Sequence, residues 1–205
     1  MRGGDKLLEP VAGQPLLRLM LQRAVAVARG PVFCTLPAPD HPRMICLDGL
    51  DVTPVMVPDA AEGMGASIRA GARALPAGCP AVMILPADMP ELDARDLEQM
   101  MQAQARHPAD ILRASDASGG PGHPVIFPAR FIPALLRCAG DSGARDVLRT
   151  QKADVRVVAL PDHHATTDLD TPEAWAAWRA RRPAGDEAAQ EQPPAPAPSR
   201  PSRPE

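Results

Sequence analysis

The chain has 205 residues, a formal net charge of −3 and a hydrophobic share of 45%. That length suits one sizeable α/β domain and is short for two, and the apolar content can build a core. Aromatics make up only 2%, with no tyrosine; together with the weak negative charge this excludes a base-stacking or polyanion-binding surface for nucleic acid.

In chain order, residues 14–29 place apolar side chains at helical spacing and stop at Gly30. Residues 31–36 and 52–58 read as strands, the second irregular or at an edge because of Pro54. Residues 63–75 pass from a glycine loop into a helix. The run 80–88 is the strongest strand signal, apolar without alternation, as in a strand covered on both faces. Residues 92–107 form a helix with Asp93 as N-cap. Segments 109–115, 123–128 and 155–161 are strands, with short helices over about 128–139 and 143–151. Residues 171–182 close the domain as a helix with Pro172 in its first turn. Strands alternating with helices predict a largely parallel sheet with helices on both faces. From 183 to 205 the chain is rich in Pro, Ala and charge, which predicts a disordered tail, or a segment that docks a partner.

Cys34, Cys46, Cys79 and Cys138 form no CxxC pair, and no secretory signal precedes them, so free thiols in a reducing cytoplasm are expected. No apolar run approaches membrane-spanning length, so no membrane partner is expected.

Several residues can carry chemistry. Asp88 follows the strongest strand, the edge where ligands bind in open α/β sheets. A carboxylate there suits Mg2+, or equally satisfies backbone amides in a turn. Asp168 and Asp170 alternate and share a side if extended; Asp170 or Thr171 also makes a good N-cap. Of 22 cationic residues only Lys6 and Lys152 are lysine, either by chance or because a compact ammonium suits the site at Lys6. Gly63 and Gly65 open a helix after a strand, close to a dinucleotide-binding fingerprint, but Ile68 fills the third glycine position. Those glycines and Ser67 equally allow a nucleotide to approach the backbone. The glycines of 118–122 make a tight or mobile loop ahead of His123, which either meets a substrate or caps a strand. Arg145, at the start of a short helix, can reach an anion or simply lie on the surface. His41, His107, His163 and His164 lack metal-ligand spacing and are expected to be solvated.

Taken in order, KLLEPVAGQPLL, AEGMGASIRAGA, LPADMP, GPGHPVIF, GDSGAR and DLDTPEA resemble the MobA-like nucleotidyltransferases. Within that group they look most like the molybdenum cofactor cytidylyltransferases. The resemblance covers about residues 1–180. It implies a Rossmann-like three-layer α/β sandwich with a mostly parallel sheet, in one domain over 1–182. It implies transfer of CMP from CTP to the phosphate of a pterin cofactor, with release of pyrophosphate, using Mg2+ or Mn2+ in its place. Lys6 and Asp88 would be catalytic, with Lys6 neutralising the triphosphate. Gly3, Gly4, Lys6, Glu62, Gly63, Gly65 and Ser67 would lie by the nucleotide. Asp88 and Asp170 would hold the metal, helped by Asp168, and Gly122 and His123 would face the acceptor. A molybdoenzyme client in the cytoplasm would complete the picture. The alternatives are guanylyl transfer, another phosphate acceptor, or an inactive carrier of the cofactor.

One departure stands out. The family pattern opens with a strand and an LAAGxSxRMG loop, and only the end of that loop matches Met1 to Lys6. The expectation is therefore a sheet without its first, central strand, two unpaired strand edges, impaired nucleotide affinity and a gene start assigned too late.

Overall fold

The computed structural model describes residues 4–181; the proposed tail from residue 183 onward lies outside them. The first helix begins later than its periodicity predicts. Pro10–Val11 (β1) and Gln14–Pro15 (β2) pair antiparallel. Between them Ala12 and Gly13 both take positive φ, the backbone that a two-residue hairpin requires. Helix α1 then runs Leu16–Val27.

Val32–Leu36 (β3) and Val52–Met56 (β4) pair in parallel, with Cys34 opposite Pro54. They are joined by a 3-10 helix, Pro42–Leu47, that the sequence pattern did not reveal. Strand β4 has no second neighbour among the described strands, the edge placement that a proline without an N–H favours. Helix α2 (Met64–Ala74) leads to β5 (Ala81–Ile84) and α3 (Ala94–Arg106). Asp93 caps α3 as expected, accepting from Arg95 N and Asp96 N, and Asp96 returns the bond to complete a capping box. Next come β6 (Ile111–Ser115), β7 (Pro121–Pro128), α4 (Ile132–Leu135), α5 (Arg145–Thr150), β8 (Val155–Ala159) and α6 (Pro172–Arg181).

The larger sheet has the order β5-β7-β6-β8. Strand β7 is antiparallel to both β5 and β6, and only β6 and β8 run parallel. The sheet is thus mixed rather than mostly parallel. The link from β6 to β7 is too short for a crossover helix, so those strands must reverse direction.

Alternation along the strands builds a three-layer sandwich. Leu112 and Ile126 face one cluster with Leu16, Met20, Met100 and Trp175. Their neighbours Ile111, Val125 and Phe127 face the opposite cluster with Phe131 and Leu135. A third cluster joins α1 to β3 through Leu17, Leu21, Cys34 and Leu36. Strand β5 contributes Ala81 and Met83 to one face and Val82 and Ile84 to the other, as its unbroken apolar run predicts. Yet all four of its residues are only half-buried. One of its edges, like one edge of β3, has no partner among the described strands, in line with the expected pair of open edges. All four cysteines are free, and among the described residues no helix is long and apolar enough to cross a membrane.

Candidate active site

Lys6 lies in a 3-10 turn, Lys6–Leu8, that Asp5 caps. Asp5 accepts from Leu7 N at 3.1 Å. It is also gripped by Arg43, Nε to Oδ2 at 2.7 Å and Nη2 to Oδ1 at 2.9 Å, a bidentate pair with fixed geometry. Burial works against the Asp5 charge, but the bonds from Arg43 and Leu7 outweigh it and hold the carboxyl below its ordinary pKa. Arg43 therefore fixes the turn that carries Lys6. No motif in the sequence pointed to it.

Asp88 lies in the segment after β5, which is tied down from three sides. Arg23 of α1 donates to the carbonyls of Pro90 and Leu92, at 2.8 Å each. Glu91 accepts from Thr167 Oγ1 at 2.8 Å and from Trp178 Nε1 at 3.1 Å. Leu169 N donates to the Asp88 carbonyl at 3.2 Å. Leu169 itself is 2% exposed, and its carbonyl accepts from Trp175 Nε1 at 3.1 Å. Asp168 and Asp170 alternate around this buried leucine and are both exposed. Thr171, not Asp170, caps α6, its Oγ1 accepting from Ala174 N.

The three segments meet at one ammonium. Lys6 Nζ donates to Asp88 Oδ2 and to Asp170 Oδ1, both at 2.5 Å, across 82 and 164 residues of sequence. Burial disfavours the Lys6 charge, but the bonds to Asp170 and Asp88 outweigh it and raise the pKa. Asp168 does not join the cluster and acts on His123 only through space. Two carboxylates sharing one ammonium leave a net negative charge and oxygen atoms that only accept. That donor set fits a hard divalent cation such as Mg2+ or Mn2+, with Asp88 and Asp170 as the residues to hold it. Among the described residues no group of three acidic, histidine or cysteine side chains is assembled for a metal, so the remaining ligands would come from phosphate and water.

A cavity of about 380 Å3 lies at the ends of β3 and β4 and the start of α2, lined by Thr35, Leu36, Arg43, Gly63, Met64 and Ser67 among others. Gly63 and Ser67, two of the residues expected beside a nucleotide, line this cavity. Glu62 is not one of the residues lining it and accepts from Arg69 at 2.8 Å. Gly65 does not line the cavity; a Cβ there would stand 2.5 Å from the Ala139 backbone. It serves the close approach of α2 to residue 139 rather than a ligand. Gly63 combines a φ of +108° with a Cβ position 2.0 Å from Asp141 Oδ1, so it too is required by its surroundings. Gly4 is exposed, and Gly3 lies outside the described residues.

Gly122 and His123 sit on β7. A Cβ on Gly122 would fall 1.8 Å from Ala165 O, and His123 N donates to the same oxygen at 2.9 Å. The preceding loop is tight rather than mobile because it winds around Asp116. That carboxylate accepts from Ser118 N, Ser118 Oγ, Gly120 N and Thr166 Oγ1. The bonds, led by Ser118 and Gly120, hold its pKa down at about 2. Two histidines expected to be solvated are not. His164 Nδ1 lies 2.7 Å from buried Asp96, and His41 Nδ1 caps the 3-10 helix at Pro42. Spacing rules search for ligands and miss such single structural bonds.

The sequence profile described as MobA-like NTP transferase domain matches residues 1–157. A phosphoenolpyruvate guanylyltransferase of Rubrobacter xylanophilus is 26% identical over 175 residues, 82% of this chain and 81% of that protein. Among solved structures, Rv0371c of Mycobacterium tuberculosis superposes with a TM-score of 0.73 at 22% identity, covering 88% of this chain and 92% of its own. Its manganese complex matches at 0.72 and 21% identity, covering 86% and 92%. A CMP:2-keto-3-deoxy-manno-octonic acid synthetase complexed with CTP matches at 0.65 and 14% identity, covering 85% and 90%. These likenesses share the nucleotidyltransferase fold. With the profile spanning well over half of its length, the chain belongs to the MobA-like NTP transferase family.

Proposed function

We propose that the chain transfers CMP from CTP to the phosphate of a molybdenum-cofactor pterin, releasing pyrophosphate. The observation that carries this reading is the convergence of Asp88 and Asp170 on the ammonium of Lys6, whose turn is anchored through Asp5 by Arg43, a residue that also lines the larger cavity. The GPGHP element and the GMGASIRAG stretch, which resemble the cytidylyl branch, support that form.

The reaction forms one bond and breaks one. An oxygen of the acceptor phosphate attacks the α-phosphorus of the nucleotide. The bond from that phosphorus to the α,β-bridging oxygen breaks, and pyrophosphate leaves with the electron pair. Such transfers need charge neutralised and reactants aligned more than they need covalent help. Lys6 is built for the first task, since Arg43 and Asp5 fix its turn and its ammonium stays charged. Asp88 and Asp170 would hold Mg2+ or Mn2+, which supplies further neutralisation of the triphosphate. The manganese complex of a structural neighbour supports a divalent ion. Gly63 and Ser67 border the space for the nucleoside, and His123 borders the acceptor side.

A second reading has one specific support, the guanylyltransferase relative named for phosphoenolpyruvate. It keeps the chemistry and changes the nucleotide and the acceptor. The deciding experiment measures pyrophosphate release by the purified chain with CTP or GTP, with Mg2+, and with molybdenum cofactor or phosphoenolpyruvate. Turnover with CTP and cofactor is expected. Turnover with GTP alone sinks the cytidylyl assignment. Pterin binding without turnover, unaltered by Asp88→Ala, would instead identify a carrier.

A further inference from the structure

A smaller cavity of about 120 Å3 shares Met64 with the larger one. Its wall is divided by chemistry. Ile68, Val125 and Leu148 form part of an apolar side, while Arg113, His123 and Arg145 form a cationic one. Exposed Asp141 is the carboxylate on this lining.

The positive groups have few answering charges. Half-buried Arg113 projects from β6 and spends its donors on neutral carbonyls, Nε to Gly122 O at 3.2 Å and Nη2 to Pro121 O at 3.4 Å. It has no ion pair among the described residues. A guanidinium drawn out of water without a counter-charge is unfavourable. Burial and then the nearby Arg145 lower the Arg113 pKa. Burial and Arg113 likewise lower that of His123, against the opposing pull of Asp88 and Asp168. The Nδ1 atom of His123 is buried with no hydrogen-bond partner. Two arginines that repel each other border one small space that His123 also lines. An anion there would relieve the repulsion.

We infer that Arg113, His123 and Arg145 seat the phosphate of the acceptor substrate, whose adjoining apolar atoms rest on Ile68, Val125 and Leu148. The word acceptor rests on the nucleotidyltransferase reading; the anion seat does not. A planar, multidentate guanidinium is the side chain suited to phosphate oxygens. The cavity lies well below the ~300 Å3 at which sites for drug-sized ligands begin. It therefore takes a phosphate and a few attached carbons, and a fused-ring body would lie outside it.

The test measures binding of inorganic phosphate, and separately of CTP, to the full chain by titration calorimetry. Arg113→Gln and Arg145→Gln are each expected to weaken phosphate about tenfold or more, the range for a charge-assisted bond. Both should leave CTP affinity within about twofold. Arg149→Gln, whose side chain is 80% exposed on the same helix, serves as the control that alters neither. Unchanged phosphate binding in both variants overturns the proposal. So does phosphate binding that is lost in Lys6→Met and kept in the arginine variants. An equal loss of CTP affinity assigns the arginines to the nucleotide's triphosphate and overturns the acceptor assignment. If Arg113→Gln does not fold, surface-exposed Arg145→Gln decides alone. Should the wild type turn over no nucleotide and yet bind phosphate through these arginines, the proposed function fails and the anion seat stands.

Discussion

Replacing Lys6 with methionine separates two roles for one ammonium. In the structure Lys6 Nζ occupies the space between Asp88 Oδ2 and Asp170 Oδ1, 2.5 Å from each. Its side chain is 29% exposed, and those of the two aspartates are 22% and 64% exposed. Pairs with that much solvent contact contribute roughly 0.2–1 kcal/mol each, so the two together hold Lys6 in place by about 0.4–2 kcal/mol. A divalent cation entering between the carboxylates must first displace it. The fraction of molecules ready for the ion is then about one-third to one-thirtieth, and apparent affinity falls by that factor. Lys6→Met should therefore bind Mn2+ roughly 3- to 30-fold more tightly, read by electron paramagnetic resonance of free Mn2+. Turnover should move the other way. Loss of one preorganised donor to a developing phosphoryl charge costs about 100- to 1,000-fold in kcat. Thermal stability should change little, by about 1–2 kcal/mol at most. Mn2+ binding that is unchanged or weaker in Lys6→Met would refute the shared-site reasoning, and a kcat within about tenfold of wild type would remove Lys6 from the transition state.

Three further outcomes test the scaffold. Gly122→Ala should lower stability by at least about 2 kcal/mol, because the new Cβ meets Ala165 O at 1.8 Å and backbone must shift. Chemical denaturation measures it, and a cost below about 0.5 kcal/mol would contradict that packing. Asp96→Ala removes the capping-box return bond and leaves half-buried His164 without its partner; it should cost about 2 kcal/mol and lower Tm by roughly 4–8 °C, with Asp96→Asn milder. His123 has a folded pKa below its ordinary 6.5 because burial, and then Arg113, disfavour its charged form. Below about pH 6.5 the unfolded chain takes up that proton first, so stability falls as pH drops through the window down to the folded value. His123→Asn should flatten this part of the stability profile relative to wild type, and an unchanged slope would count against it.

Much of the framework was legible in the chain. Helices α1, α2, α3 and α6 were legible, from apolar spacing in α1, the cap of α3 and the first-turn proline of α6, and the unbroken run at residues 81–84 reports a strand with a core on each face. Asp93 was readable as a cap because capping is a local bond. The hairpin at residues 10–15 was missed because two-residue strands are too short to show a period. The sheet's mixed character was missed because strand direction follows the length of connections, not the pattern within strands. Gly65 looked like a ligand glycine and is a packing glycine, since nothing near it in sequence announces the backbone at residue 139.

The candidate site divides along the same line. Residue type and order alone singled out Lys6, Asp88 and the pair Asp168 and Asp170, because phosphate chemistry needs a cation and hard oxygen donors at strand ends. Alternation alone left the two later aspartates equal, although the family resemblance set Asp170 ahead of Asp168. The structure sets Asp170 on Lys6, and Asp168 makes no such bond among the described residues. The sequence by itself could not show that Arg43 anchors the Lys6 turn, or that Arg113 faces a cavity with no ion-pair partner among the described residues. Those facts depend on contacts between distant segments. Chain chemistry determines which groups are available, and close packing of three apolar clusters determines which of them meet.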